Sequence, residues 1–138
     1  MKIIVVGGGC SGVVAAINAK NKDNEVVILE RNNTLLKKLL LTGNGRCNYF
    51  NEIYSIDNYH SNNMDLVNDF ISDKNITMSK EFFDNLGIVP KIKNGYYYPY
   101  SNQAVSIKDI LVNEVNRLGI KVIYDTYVED IEKEDKFI

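Results

Sequence analysis

The first twenty residues, MKIIVVGGGCSGVVAAINAK, restrict this chain more than any other stretch. Lys2 to Val6 form a short β-branched run without polar alternation, the pattern of a strand buried on both faces of a parallel sheet. The run ends in Gly7-x-Gly9-x-x-Gly12 and continues into residues that favour a helix through Asn18 and Lys20. Each glycine has a separate task in such a turn. Gly7 permits the tight passage from strand to helix, Gly9 lets backbone approach a pyrophosphate, and Gly12 lets the helix pack close to the strand. The helix start offers unpaired N–H groups and a positive dipole end, which favour a phosphate at Ser11 and Gly12. Strand, glycines and helix in this order predict a dinucleotide site; a glycine-rich turn without a ligand is the alternative.

A second strand, EVVILE, ends at Glu30, 18 residues beyond Gly12. A carboxylate at that distance accepts hydrogen bonds from the adenosine ribose hydroxyls and repels a 2′-phosphate. NADP is therefore disfavoured at this first site, and a solvated charge at a strand end is the competing account. Arg31 either lies over the adenine or faces water.

Composition narrows the class. With 138 residues the chain is long enough for one domain that buries roughly two-thirds of its unfolded surface. Apolar residues at 45% and charged residues at 25% are ordinary for a globular protein. A net charge of −2 and a pI near 5.4 give no electrostatic reason to expect nucleic acid or an anionic membrane as partner. Two cysteines, no signal peptide and no apolar run near membrane-spanning length predict the reducing cytoplasm. Both cysteines lie in glycine-rich loops, so no disulfide framework is expected.

The segment NNTLLKKLLLTGNGRCN begins just after the ribose-binding strand end, on the side where open parallel sheets bind ligands. Thr42, Asn44 and Asn48 offer short donors and acceptors, and Gly43 and Gly45 allow unusual backbone angles. Arg46 adds a rigid cationic fork suited to phosphate or carboxylate. A helix stop alone would need only Gly43, so the reading adopted is a second wall of the nucleotide pocket.

Five segments in order, GGGCSGVVAA, LERN, KKLLLTGNGRCN, FFDNLGI and YPYSNQA, resemble the BaiN/YhiN-like family of bacterial flavoprotein oxidoreductases. TGNGRCN is far more specific than the glycine fingerprint, and the match runs from Met1 to about Ile131. The resemblance implies a Rossmann-like FAD/NAD(P)-binding domain of the α/β class with non-covalent FAD. It sets Gly7, Gly9, Ser11 and Gly12 at the pyrophosphate and Glu30 at the ribose. Lys38, Thr42, Gly43, Asn44, Gly45, Arg46, Cys47 and Asn48 would lie toward the flavin, and the Val128 backbone would meet the adenine. The family has a glycine where Leu36 stands, and a threonine where Phe50 stands, which removes a hydroxyl. Its members are about three times longer, so the chain reads as the N-terminal portion of a longer enzyme.

Residues 49–100 read as an excursion within this domain. Residues 49–63 have no period and are expected to be irregular; MDLVNDFI and SKEFFDNLG suit two short helices, the second stopped by Gly87. His60 is solvated and carries no role. No Cys/His/Asp group has metal-ligand spacing, so no metal is expected. Asn94-Gly95 marks a tight turn, and Tyr96 to Tyr98 a strand that Pro99 puts at an edge or ends. Packing is preferred to a cavity lining for these tyrosines. Ser101 or Asn102 caps a helix with Ala104, Ile107, Leu111, Val115 and Leu118 on one face; Gly119 ends it and IKVIY supplies a third parallel strand. YVEDIEKEDKFI suits the start of an antiparallel ribbon.

These elements predict three parallel strands in the order third, second, first, flanked by helices. The first strand would then be an uncovered apolar edge, open to self-association. The function implied is hydride passage from NAD(P)H through FAD to an unidentified small organic acceptor, with no catalytic acid or base assigned. Cys47 near the flavin and Cys10 at a helix N-terminus, where the dipole lowers a thiol pKa, are redox candidates; packing is the preferred reading for both. A non-catalytic dinucleotide-binding module, or an inactive truncated fragment, is the alternative.

Overall fold

The computed structural model describes residues 1–133. In chain order its elements are β1 (Lys2–Val6), α1 (Cys10–Ala19), β2 (Glu25–Leu29), β3 (Phe50–Asn51), α2 (Met64–Phe70), α3 (Asp73–Asn85), β4 (Pro90–Lys93), β5 (Tyr96–Pro99), α4 (Ala104–Arg117) and β6 (Lys121–Ile123). Short 3₁₀ turns occupy Lys37–Leu41 and Ile56–Asn58. The described residues form two compact units: Met1–Leu40 with residues 108–133, and Leu41–Ile107.

The first unit holds a parallel sheet in the order β1-β2-β6, as the sequence predicts. Val5 pairs with Ile28, and Ile28 with Val122. β2 is the central strand, and Val26, Val27 and Ile28 are all buried, so both its faces are covered. Each such side chain contributes about 1.5–3 kcal/mol by leaving water. β1 departs from expectation. Its residues alternate between exposed and half-buried, with Ile4 54% and Val6 53% exposed, so only one face is covered. A β-branched run reports strand propensity, but coverage of the second face depends on a neighbour that sequence period cannot supply. Among the described residues β1 has a single strand neighbour, β2. α1 buries Val13, Ala16 and Ile17 at helical spacing. α4 buries Leu111 and Val115, and Gly119, at φ +65, ends it with its N–H bonded to the Asn116 carbonyl.

The second unit contains α2, α3 and an antiparallel sheet ordered β3-β5-β4. The Asn94-Gly95 turn has φ of 51° and 80°, the left-handed pair that a two-residue hairpin requires. β5 is central here rather than at an edge, but it does end at Pro99, which lies opposite Pro90 where neither residue has an N–H to donate. Residues 49–63 are not wholly irregular: Phe50–Asn51 pair with Tyr97 and Tyr96. Tyr97 is buried as a packing residue, edge-on to Phe50 and Tyr49. α3 starts at Asp73, earlier than the apolar pattern suggests, because Ser72 Oγ accepts the Asn75 N–H as its cap. Gly87, at φ +75, follows its end.

The start of α4 also differs. Asn102 adopts φ +55 and Ser101 Oγ accepts the Gln103 N–H, while the Ala104 N–H donates to the Gly45 carbonyl at 2.8 Å. Residues 127–132 carry no strand and Lys133 forms an isolated bridge; the rest of the expected ribbon, 134–138, lies outside the described residues.

Candidate functional site

The turn between β1 and α1 contains four glycines whose reasons differ. Gly7 has φ +95, a conformation that side chains resist, and its N–H bonds the Leu29 carbonyl at 2.8 Å. A Cβ on Gly8 would stand 2.2 Å from Leu35 Cδ2, and one on Gly12 would stand 2.0 Å from the Gly7 carbonyl oxygen. For those three the reason lies inside the protein: a left-handed backbone at Gly7, the Leu35 side chain at Gly8 and the Gly7 carbonyl at Gly12. Gly9 has no such reason: its φ is −75°, and beyond its chain neighbours nothing lies within 4 Å of a Cβ built there. Space beside Gly9 is open, at the N-terminus of a ten-residue helix with no side-chain cap. The first intrahelical bond runs from Val13 N–H to the Gly9 carbonyl, so the N–H groups of Cys10, Ser11 and Gly12 have no acceptor within the helix. Amides, dipole and open space together fit a diphosphate.

Cys10 is exposed as a residue, yet partial withdrawal of its sulfur from water raises the thiol's pKa and outweighs the lowering by its own backbone N–H. The direction is opposite to the lowering that a helix N-terminus suggests, and the exposure of Cys10 also departs from the packing role preferred for it. Cys47 is buried, in keeping with packing.

Glu30 follows β2 and is buried, which removes the solvated-charge account. Its Oε2 accepts the Gly8 N–H at 2.6 Å, and its Oε1 accepts the Asn32 backbone N–H at 2.7 Å and the Asn32 Nδ2. Burial pushes its pKa up, but the bonds from Asn32 and Gly8, with the Arg31 charge, outweigh this and hold the carboxyl below its usual range. Arg31 and Lys38 are exposed, and Val128 is half-buried in the chain after β6. Leu36 sits in the left-handed region at φ 59 while buried, with its N–H on the Gly8 carbonyl at 2.8 Å. A glycine would adopt this backbone freely, whereas leucine there costs about 1–2 kcal/mol of strain.

The small-residue bend belongs to the second unit. Gly43, Asn44, Gly45 and Cys47 all have positive φ, at 56°, 55°, 78° and 58°. The bend is closed by Cys47 N–H to the Thr42 carbonyl at 3.0 Å, and by Arg46 Nε to the Gly43 carbonyl at 3.0 Å. The Arg46 guanidinium lies 5.0 Å over the Tyr98 ring. With its amide nitrogen facing inward, Asn48 donates to the Phe50 carbonyl at 2.9 Å and the Tyr97 carbonyl at 3.1 Å. A Cβ on Gly43 would meet the Asn48 nitrogen at 2.9 Å. The side chains of Arg46 and Asn48 therefore hold the bend and the hairpin beneath it.

The structure brings Gly7, Gly9, Ser11, Gly12 and Glu30 together in one unit and Thr42 to Asn48 together in the other. Sequence reasoning missed Gly8 and Asn32, and gave Leu36 and Tyr98 no part in the site. A third consecutive glycine was the available signal for Gly8; Asn32 carried none. Among the described residues no cluster of His, Cys, Asp or Glu could hold a metal, and no helix is long and apolar enough to cross a membrane.

Comparison with known proteins agrees with the fold. A family model described as the HI0933-like protein Rossmann domain matches residues 1–138. The 3-dehydro-bile acid delta(4,6)-reductase of Clostridium scindens is 38% identical over 130 residues, which is 93% of this chain and 32% of that protein. The chain thus spans about a third of the length of this curated relative. Among solved structures, Thermovibrio ammonificans THI4 superposes with a TM-score of 0.68 at 20% identity, over 97% of this chain and 41% of that one. The 3-ketosteroid-delta4-(5alpha)-dehydrogenase of Rhodococcus jostii RHA1, in complex with 4-androstene-3,17-dione, also gives 0.68, at 14% identity over 96% and 39%. At those identities the two structures speak for the fold alone.

Proposed function

Because this chain belongs to the HI0933-like Rossmann family, the FAD-binding portion of a flavoprotein oxidoreductase family, we propose that it serves an enzyme passing a hydride from NAD(P)H to an organic acceptor. Bound FAD supplies the hydride-carrying chemistry. The chain's own residues bind and orient. The N–H groups of Ser11 and Gly12 face the diphosphate, Gly9 keeps the approach open, and the Glu30 carboxylate takes up the adenosine ribose. In the bend, Thr42, Asn44 and Gly45 are assigned to the flavin by the family resemblance, and Arg46, Cys47 and Asn48 support their backbone. A 3-dehydro-bile acid is the first acceptor to test, since the curated relative's name carries it.

The observation that carries this reading is Gly9, the one glycine of the turn whose identity nothing inside the protein demands. Purified chain is expected to be yellow, or to become so with FAD, and to bleach with NADH or NADPH. Colourless protein that cannot be reconstituted overturns the reading, and protein that takes NAD but ignores FAD would make it a plain NAD-binding domain.

A further inference from the structure

Gly8 is held from two sides, although the glycine fingerprint gives it no task. Its N–H donates to Glu30 Oε2 at 2.6 Å, and its carbonyl accepts the Leu36 N–H at 2.8 Å. Its neighbours are Gly7, which turns the chain at φ +95, and Gly9, the N-cap of α1. Fixing the Gly8 peptide therefore fixes the direction in which the following N–H groups point. The acceptor is an ionised carboxylate in a buried position, which makes a shorter and stronger bond than a neutral group would.

The same carboxylate has little capacity left. An ionised carboxyl offers about four acceptor positions. Asn32 fills two on Oε1 through its backbone N–H and its Nδ2, and Gly8 fills one on Oε2. A ribose diol meeting a carboxylate with both oxygens open donates two bonds. Here Oε1 is closed by Asn32, and the one remaining position is on the oxygen that also holds Gly8.

We propose that Glu30 is a positioning residue for the diphosphate turn, oriented by Asn32, and that it reads the adenosine ribose through a single hydroxyl. The inference rests on the assignment of an adenine dinucleotide to this turn. It adds a division of labour: one carboxylate oxygen is committed to the protein, and the other is shared between protein and ligand.

Two measurements on the full chain test it. In nitrogen-15-labelled protein without nucleotide, the Gly8 amide proton is expected downfield, to move as Glu30 is protonated in acid, and to stop moving in E30Q. A Gly8 resonance that ignores acid titration in the wild-type chain overturns the clamp. Titration with ADP, 2′-deoxy-ADP and 3′-deoxy-ADP reads the ribose. One deoxy ligand is expected to bind about tenfold more weakly than ADP, and the other within about twofold. Asn32→Ala removes Nδ2 but keeps the backbone donor, and is expected to make both hydroxyls count. Equal losses for the two deoxy ligands in the wild-type chain, or no loss for either, overturn the single-hydroxyl reading. Failure of all three nucleotides to bind overturns the nucleotide assignment and the ribose reading with it, while the Gly8 resonance still decides the clamp.

Discussion

The turn at residues 7–12 and the bend at residues 42–48 are both made of small residues, and smallness serves different ends in them. In the turn, Gly9 stands beside open space and the amides that follow have no partner within their helix. In the bend, Arg46 and Asn48 spend their polar atoms on carbonyls of their own surroundings, and a Cβ on Gly43 would strike the chain itself. A run of glycine and short polar residues therefore does not by itself announce a ligand. What distinguishes the cases is whether the reason for each small residue lies inside the protein or outside it.

The sharpest way to break this comparison is to set two glycines of the same turn against each other. Gly12→Ala drives a Cβ into the Gly7 carbonyl oxygen, so it should cost about 3 kcal/mol or more and lose the cooperative urea transition of the parent. Gly9→Val should keep stability within about 1 kcal/mol, since nothing beyond its chain neighbours is near, yet abolish FAD retention. Wild-type FAD affinity in Gly9→Val would mean the open space is not the ligand's.

Arg46→Ala tests the bend. Losing its bond to the Gly43 carbonyl and its place over Tyr98 should cost about 1–2 kcal/mol by chemical denaturation. Arg46→Lys should recover less than half of that, because an ammonium lacks the planar fork. Unchanged stability with lost flavin would make the bend behave like the turn, and the contrast would fall.

The smallest effect is the acid limb. Glu30 binds its proton less tightly in the folded chain than at its ordinary value of 4.5, so its stabilisation is present above that pH. It is lost as pH falls through the depressed folded value. Glu30→Gln should flatten this part of the stability profile, and a profile identical to the parent's would deny the carboxylate its role at Gly8.

Where sequence was legible, the signal was local. The β1 turn, α1, β2 and β6 each carry their own period or punctuation, and parallel order followed from connection rules. β3 was not legible because a two-residue strand exists only through its pairing with Tyr96 and Tyr97, far along the chain. Pro99 left two readings of β5 open, an edge or an end, and only the end holds: a proline speaks for its own position, and the strand's last residue needs no ladder donor. At the candidate site, the glycine pattern and Glu30 could be read, since their spacing is that of a dinucleotide fingerprint. The partners of Gly8 could not, since Asn32 and Leu36 act through backbone and through a buried carboxylate that spacing does not reveal.

The Gly45 carbonyl that receives the Ala104 amide has a consequence for how this chain tolerates change in length. It cinches residues 46–103 into a closed circuit with a fixed pair of ends. The entropy of closing such a circuit grows only logarithmically, by about 0.6 kcal/mol for each doubling of its contour. Additions or trims around residues 55–63, which bury no side chain, would register weakly at the knot and leave its two ends where they are.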